Sequence, residues 1–192
     1  HYASALVARR LNAMIAGAPL PIRKEKIVIA APPDEDHMLS SLLMTYLLRR
    51  RGYDVVYLGA DVPLANFRTT IIALGPDLVI LTAHLLVTAS GLLDLANELA
   101  GINTRLAYGG PIFHRIPELR QTFPGDYLGD DLKGVVAEID QILRSPAQEL
   151  QAAHPERPLY LDELRAMMPA IETRVSEAFE NYSVILSAPN HY

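Results

Sequence analysis

The sequence predicts an α/β fold in which helices cover both faces of a parallel sheet. Short apolar runs and longer segments with helical periodicity alternate five times along the chain, and the connections between them are short. This alternation is typical of doubly wound sheets, whose neighbouring parallel strands are joined by right-handed crossovers. Five strands of this kind fit the flavodoxin-like order 2-1-3-4-5, in which ligands bind beyond the carboxyl ends of the strands.

The first helices and strand are predicted from the spacing of apolar residues and from the glycines and prolines that end each element. Residues 3–15 carry apolar side chains at helical spacing and are followed by Gly17 and Pro19, so we predict a helix there. The run KIVIAA at residues 26–31 is short and apolar, as expected of a buried parallel strand. A broad leucine face over residues 38–51 predicts the next helix, which ends before a glycine.

The later elements repeat this pattern as far as residue 143. The remaining strands are predicted at residues 54–59, 76–83 and 104–110, with a very short fifth strand within residues 125–131. The remaining helices are predicted at residues 64–74 and 91–99, weakly near 116–123, and at 132–143. Because a helix follows each strand, we expect all five carboxyl ends at one edge of the sheet.

The end of the chain differs from the part before it. Residues 145–158 are polar with three prolines, which is typical of a linker. An amphipathic stripe follows, although Pro169 should kink or break a helix there. This stripe is compatible with packing on the chain's own core and with a dimer or lid role. We therefore expect an N-terminal helix (1–20), an α/β domain (24–145), a linker (146–158) and a C-terminal helical extension (159–192).

Composition narrows the classes of function. The net charge of −5 over 192 residues gives no basic surface for a nucleic acid. The absence of cysteine excludes disulfides, thiolate metal sites and chromophores linked through thioethers. No apolar run approaches the roughly 20 residues that cross a bilayer, so we expect no membrane partner and a cytoplasmic protein. Because the chain begins with His1, we expect a fragment or a processed chain.

His37 is the first candidate for chemistry, because it lies between the end of the first strand and the next helix. A neutral imidazole binds transition metals well when its second nitrogen donates to a carboxylate, and Glu35 and Asp36 are within reach along the chain. The alternative is that Asp34 or Asp36 caps the helix and His37 is only a residue of its first turn. The other histidines show no metal-binding spacing: His1, His84, His114, His154 and His191. A metal at His37 would therefore arrive inside a cofactor that supplies the other ligands.

Four segments in combination resemble the cobalamin-binding domain: EDHMLSSLLMTYLLRRRGYDVVYLGADVP, LVILTA, AYGGPIF and GDYLGDDLKGVV. The family's D-x-H-x-x-G motif is often E-x-H in its light-sensing branch, the MerR-type repressors of the CarH/LitR kind, and Glu35–His37 matches that form. The opening HYASALVARRL is similar to the last helix of the four-helix bundle that precedes the domain in that branch. The resemblance covers residues 2–144 and identifies residues 1–20 as that bundle helix.

The resemblance implies a role for each matching residue. His37 would be the lower axial ligand of the cobalt, in place of the cofactor's own dimethylbenzimidazole, and Glu35 would hold the imidazole in the tautomer that presents its free nitrogen. Thr82 would line the slot for the displaced nucleotide tail, and Gly109 and Gly110 would leave room where the tail passes the fourth strand.

The sequence also departs from the family at several positions. Ser40 replaces the glycine of the motif, and the second hydroxyl of the tail slot falls near Leu86, which is apolar. His84 lies close by, and we expect it to be a satisfied or surface histidine. His1 falls on a histidine of the bundle motif, which makes it a weaker candidate for contact with the metal. The chain has no tryptophan, although the family's bundle covers the upper face of cobalt with one.

These observations predict a cobalamin-binding sensory module rather than an enzyme. The resemblance implies adenosylcobalamin or methylcobalamin, a response to light, and control of transcription through rearrangement of a homo-oligomer or partner. Contact with DNA would come through a segment outside these 192 residues. Two alternatives stay open: a corrinoid-carrying subunit of a methyltransferase or mutase, and a photosensor that binds biliverdin or another bilin noncovalently in a closed slot.

Overall fold

The computed structural model describes residues 2–129, 131–145 and 166. It contains a five-stranded parallel sheet in the order β2-β1-β3-β4-β5, which confirms the predicted fold class and strand order. The strands are β1 (Lys26–Ala30), β2 (Asp54–Gly59), β3 (Leu78–Thr82), β4 (Arg105–Gly109) and β5 (Asp126–Tyr127). The order reverses direction at β1, so β1 and β3 frame the point where doubly wound sheets bind ligands.

Six α-helices accompany the strands in the described part of the chain. They are α1 (Tyr2–Ala16), α2 (Leu39–Arg50), α3 (Phe67–Leu74), α4 (Leu86–Glu98), α5 (Pro111–Arg115) and α6 (Leu132–Arg144). A short 3-10 helix, Pro117–Gln121, follows α5. None of the described helices is long and apolar enough to cross a bilayer.

The core forms two layers because successive side chains of a strand point to opposite faces of the sheet. Val28 and Ala30 of β1 pack with α3, α4 and α5 on one face, in a cluster centred on fully buried residues such as Phe113. Ile27 and Ile29 pack with α2 and α6 on the other face. Burial on both faces explains why the strands are apolar, and it fixes their carboxyl ends at a common edge.

Two predicted helices begin at other residues. The helix predicted at residues 91–99 begins at Leu86, five residues earlier, so its first turn lies directly beyond β3. The helix predicted near residues 116–123 is replaced by α5 and the 3-10 helix. Pro111 and Pro117 explain this division, since proline is favoured in the first turn of a helix and breaks one that has begun.

Helix α1 lies against α2. The N-terminal end of α2 lies at the edge of the sheet where ligands bind in this type of fold. The Arg49 guanidinium near the end of α2 donates to the carbonyl of Ile15 at 3.3 Å, and the N–H groups of Ile22 and Arg23 donate to the carbonyl of Gly52. These contacts hold the N-terminal helix to the α/β domain. The predicted linker and C-terminal extension fall outside the described residues, apart from Ala166.

Candidate cofactor site

The loop between β1 and α2 brings the first site residues to the carboxyl edge of the sheet. Asp34 adopts a positive φ of 65°, and its N–H donates to Asp61 Oδ1 at 2.9 Å in the loop after β2. This turn directs Glu35 inward, where it is fully buried, and leaves the His37 side chain 54% exposed. A buried carboxylate thus lies beneath an exposed imidazole.

The Glu35 carboxylate accepts four hydrogen bonds in the described structure. Oε1 accepts from His37 Nδ1 at 2.6 Å and from the His37 backbone N–H at 3.1 Å. Oε2 accepts from the His84 backbone N–H at 2.7 Å and from the Thr88 hydroxyl at 2.6 Å. One side chain therefore ties the loop after β1 to the loop and first turn after β3.

These hydrogen bonds set the protonation of the pair. Burial alone would raise the pKa of Glu35, but the hydrogen bonds from Thr88, His84 and His37 outweigh burial and hold that pKa below its ordinary value. An ionised carboxylate can only accept, so His37 Nδ1 carries the proton that it donates. The neutral tautomer that donates from Nδ1 has its lone pair on Nε2, and this is the form of imidazole that binds metals.

Helix capping does not explain the acids around His37. Helix α2 begins at Leu39, its N-cap residue is Met38, and no side chain caps it. His37 therefore precedes the helix, and neither Asp34 nor Asp36 occupies the capping position. The alternative interpretation of this segment is wrong.

His84, a candidate site residue for which a satisfied or surface histidine was the favoured interpretation, lies directly beside His37. Its ring stacks on the ring of His37, with centroids 4.7 Å apart and planes inclined by 16°. A hydrogen bond of 3.3 Å joins His84 Nε2 to Ser40 Oγ, while Nδ1 is buried without a hydrogen-bond partner in the described structure. The side chain is only 16% exposed, and this burial lowers the pKa of His84 although the Glu35 carboxylate acts in the opposite direction.

A cavity of about 290 Å³ opens beside His84. Five of the predicted site residues line it: Ser40, Thr82, His84, Gly109 and Gly110. Much of the remaining wall is apolar and comes from α2, the segment after β5, and α6: Met44, Leu128, Leu132 and Val135. A cavity thus lies at the edge of the sheet where the slot was predicted, and its use by a cofactor stays a prediction.

Gly109 and Gly110 differ in whether the fold of the chain itself requires a glycine at the position. A Cβ atom on Gly109 would meet Leu128 at 3.7 Å, which is an ordinary contact. Gly110 has a φ of +121°, and a Cβ there would come within 2.0 Å of the carbonyl oxygen of Ala83. Gly110 is thus required by the chain's own backbone, independently of any ligand.

Leu86, another predicted site residue, is not among the residues that line the cavity in the described structure. Leu86 is the first residue of α4 and packs on the core cluster that contains Phe113, and its contact with the cofactor stays a prediction. The helix that begins at this residue turns the side chain toward the core. His1 lies outside the described residues.

Two hydroxyl residues of the site were missed by sequence reasoning. Thr88 was overlooked because α4 was predicted to start after it, whereas a threonine in the first turn of a helix is a recognisable signal. Ser41 Oγ lies 3.0 Å from Thr82 Oγ1 in the buried interior, so a second hydroxyl lies beside Thr82, whereas the position near Leu86 offers none. The sequence feature that could have indicated Ser41 is a pair of adjacent serines within an otherwise leucine-rich helix.

The cluster offers one protein ligand rather than a complete metal site. Glu35, His37 and His84 have potential ligand atoms within 4.8 Å of one another in the described part of the chain. However, both oxygens of Glu35 accept hydrogen bonds and His84 Nε2 contacts Ser40. His84 Nδ1 is buried, so His37, whose side chain is 54% exposed, is the more accessible of the two imidazoles, which suits a metal that brings its other ligands with it.

Comparison with known proteins agrees with this arrangement. The family model described as the B12 binding domain matches residues 25–133, which is more than half of the chain. The chain belongs to this family, and cobalamin is the cofactor that the family's description specifies. The predicted family, fold and cofactor class are thereby confirmed.

Two curated relatives from Myxococcus xanthus share part of the sequence. The HTH-type transcriptional repressor CarH is 31% identical over 113 residues, which are 59% of this chain and 36% of the repressor. The HTH-type transcriptional repressor CarA is 34% identical over 83 residues, which are 43% of this chain and 28% of that protein. The chain therefore spans about a third of the length of these relatives.

Solved structures share the fold. The methanol:cobalamin methyltransferase complex MtaBC of Methanosarcina barkeri superposes with a TM-score of 0.58 at 24% identity, over 67% of this chain and 50% of its own. The monomethylamine corrinoid protein of Methanosarcina barkeri superposes with a TM-score of 0.55 at 16% identity, over 71% and 64%. At these identities the likeness concerns the fold alone.

Proposed function

We propose that this domain holds cobalamin with His37 Nε2 as the lower axial ligand of cobalt and acts as a light-responsive regulator of transcription. The single observation that supports the ligation is the 2.6 Å contact between His37 Nδ1 and the buried Glu35. This contact fixes the imidazole orientation and leaves its other nitrogen available. The two curated relatives, both named as transcriptional repressors, support the regulatory role.

The surface around His37 suits a flat macrocycle. Met38, Leu64 and Leu85 are large apolar residues that are 38%, 40% and 42% exposed. They follow β1, β2 and β3 respectively, so they occupy the same edge of the sheet as His37. Apolar side chains around one polar anchor are typical of cofactor sites, and their burial under a corrin ring would favour binding.

The chain's own residues connect this site to the N-terminal helix. Bound cobalamin would supply a cobalt–carbon bond that light can break. Helix α2 begins two residues after His37 and contacts α1, so a change at the ligand edge would act on the helix that we assign to a bundle. A ligand that favours one arrangement of these helices shifts the population toward it, and loss of that ligand reverses the shift.

A regulator agrees with the sequence better than an enzyme subunit does. The glutamate of the E-x-H motif, at Glu35, is the form found in the light-sensing branch that the sequence resembles. The corrinoid-carrying alternative rests on the shared fold, which does not specify function. Transfer of a methyl group from a loaded chain to a methyl acceptor would support that alternative and contradict ours.

The experiment loads the purified chain with adenosylcobalamin in the dark and measures its mass and absorption spectrum before and after illumination. We expect the mass of the assembly to change with light in the parent and not in His37→Ala, whose affinity for cobalamin should fall by about 100-fold, as for loss of an interaction of a few kcal/mol. Asp36→Ala is the matched control, because Asp36 is exposed and should leave both results unchanged.

Three outcomes would contradict the proposal. The first is a parent chain that takes up no cobalamin. The second is a corrinoid complex whose mass is identical in the dark and after illumination. The third is uptake of biliverdin, with absorption in the red, in preference to cobalamin, which would favour the bilin photosensor.

A further inference from the structure

A hydrogen bond crosses the site between two separate elements. Ser40, in the first turn of α2, is joined through Oγ to Nε2 of His84 at 3.3 Å, and His84 lies in the segment between β3 and α4. Both residues line the cavity at the carboxyl edge of the sheet. The bridge therefore spans the wall of the cavity next to the start of α2.

The His84 ring also separates His37 from this cavity. One side of the ring stacks on His37, with the two centroids 4.7 Å apart, while His84 also contributes to the cavity lining. The Glu35 carboxylate accepts the backbone N–H of His84 at 2.7 Å, so the main chain at this position is held in place. A substituent that extended from a metal at His37 into the cavity would therefore run beside the bridge formed by Ser40 and His84.

The described part of the cavity offers no lysine or arginine to an anionic tail. Its lining in the described structure includes Asp131 and neither of these two cationic residue types. The lower nucleotide of a complete corrinoid carries a phosphodiester. Such a group is held by cations or by helix N-termini, and of these the lining includes the N-terminal residues Ser40 of α2 and Leu132 of α6.

We propose that the Ser40–His84 bridge is a closed gate, and that this chain prefers corrinoids whose lower nucleotide is absent or short. This inference rests on the proposed ligation of a corrinoid by His37. A corrinoid without a nucleotide reaches His37 while the bridge stays closed. A complete cobalamin has to break the hydrogen bond and turn the His84 ring away from its stacked position before the tail enters the cavity.

The test compares the affinities of two corrinoids, cobalamin and cobinamide, for the parent chain and for Ser40→Gly. Opening the gate should strengthen cobalamin binding by about 10-fold, the order expected when one hydrogen bond no longer has to be broken, and should change cobinamide binding by less than about twofold. Ser4→Gly is the matched control, because it makes the same substitution in the first turns of the exposed α1. It should leave both affinities unchanged.

The outcomes separate this inference from the proposed function. If Ser40→Gly leaves the ratio of the two affinities unchanged, the gate is contradicted while ligation by His37 still stands. If the parent chain binds neither corrinoid, the proposed function is contradicted and the gate with it. If Ser40→Gly does not fold, Ser40→Ala removes the hydroxyl alone, and a rise in cobalamin affinity without one for cobinamide again supports the gate.

Discussion

The two oxygens of the Glu35 carboxylate accept hydrogen bonds from two different parts of the site. Oε1 orients His37, and Oε2 holds the segment after β3 through His84 and Thr88. Such a buried carboxylate is stable only when its hydrogen bonds are complete. The residue therefore couples the position of the imidazole to the packing of α4 on the sheet.

Replacing this carboxylate should reduce stability in a pH-dependent way. We expect Glu35→Gln to lower the free energy of unfolding at pH 7 by about 2 kcal/mol, because an amide nitrogen cannot accept the hydrogen bonds that a carboxylate oxygen accepts. The pKa of Glu35 in the folded chain lies below its ordinary value of 4.5, so its contribution is present above pH 4.5 and is lost as the pH falls further. Urea unfolding of the cofactor-free chain at several pH values measures this difference.

The control for this measurement is Glu118→Gln, which changes an exposed acid in the 3-10 helix. It should alter stability by less than about 0.5 kcal/mol at every pH. A difference between the parent and Glu35→Gln that stays constant from neutral pH to below pH 4.5 would contradict our assignment of an ionised, hydrogen-bonded carboxylate.

At the residue scale, local spacing predicted part of the site and missed the rest. Glu35 and His37 are two positions apart, so a contact between them could be anticipated from the sequence. Thr88 is 53 positions from Glu35 and meets it only because β1 and β3 are neighbours in the sheet. The stacking of His84 on His37 depends on the same long-range pairing, and composition alone carries no signal for it.

At the scale of elements, the ends of β3 and β4 define the cavity, and Gly110 sets how closely they approach. A Cβ at this position would lie 2.0 Å from the carbonyl oxygen of Ala83. We expect Gly110→Ala to lower the free energy of unfolding by about 4 kcal/mol, because the backbone of β3 or β4 has to move. Urea or thermal unfolding of the cofactor-free chain measures this loss.

Gly101→Ala is the matched control for this substitution. Gly101 also has a positive φ, +72°, but a Cβ there meets no atom within 4 Å. Its cost should be about 1 kcal/mol, from the backbone conformation alone. Equal losses in the two variants would show that the close approach to Ala83 does not constrain this edge.

The strands were easier to predict than the helix starts. A strand buried on both faces must be apolar, so the runs KIVIA and LVILT could be predicted as strands from the sequence. The start of α4 was missed because its N-cap residue, Leu85, offers no polar side chain. The predicted range began at Gly91, which lies inside α4, where a Cβ would lie 3.2 Å from Pro32, so this glycine allows close packing within the helix.

At the scale of the whole molecule, α2 joins the cofactor edge to α1. The chain spans about a third of the length of its curated relatives. The assignment of residues 1–20 to a bundle and of residues 146–192 to a linker and extension remains a proposal. The α/β domain accounts for the cofactor site without them, because all the contacts of Glu35 lie within it.

The central claim is that the imidazole of His37 occupies the lower axial position of cobalt. The most direct test is electron paramagnetic resonance of the Co(II) form of cobalamin bound to chain prepared with 15N-labelled histidine. A coordinating 14N nucleus splits each cobalt line into three and a 15N nucleus splits it into two. We predict two-line splitting in the labelled parent chain and its loss in labelled His37→Ala. Three-line splitting in the labelled parent would show that the cofactor's own base stays on cobalt, which would contradict the account.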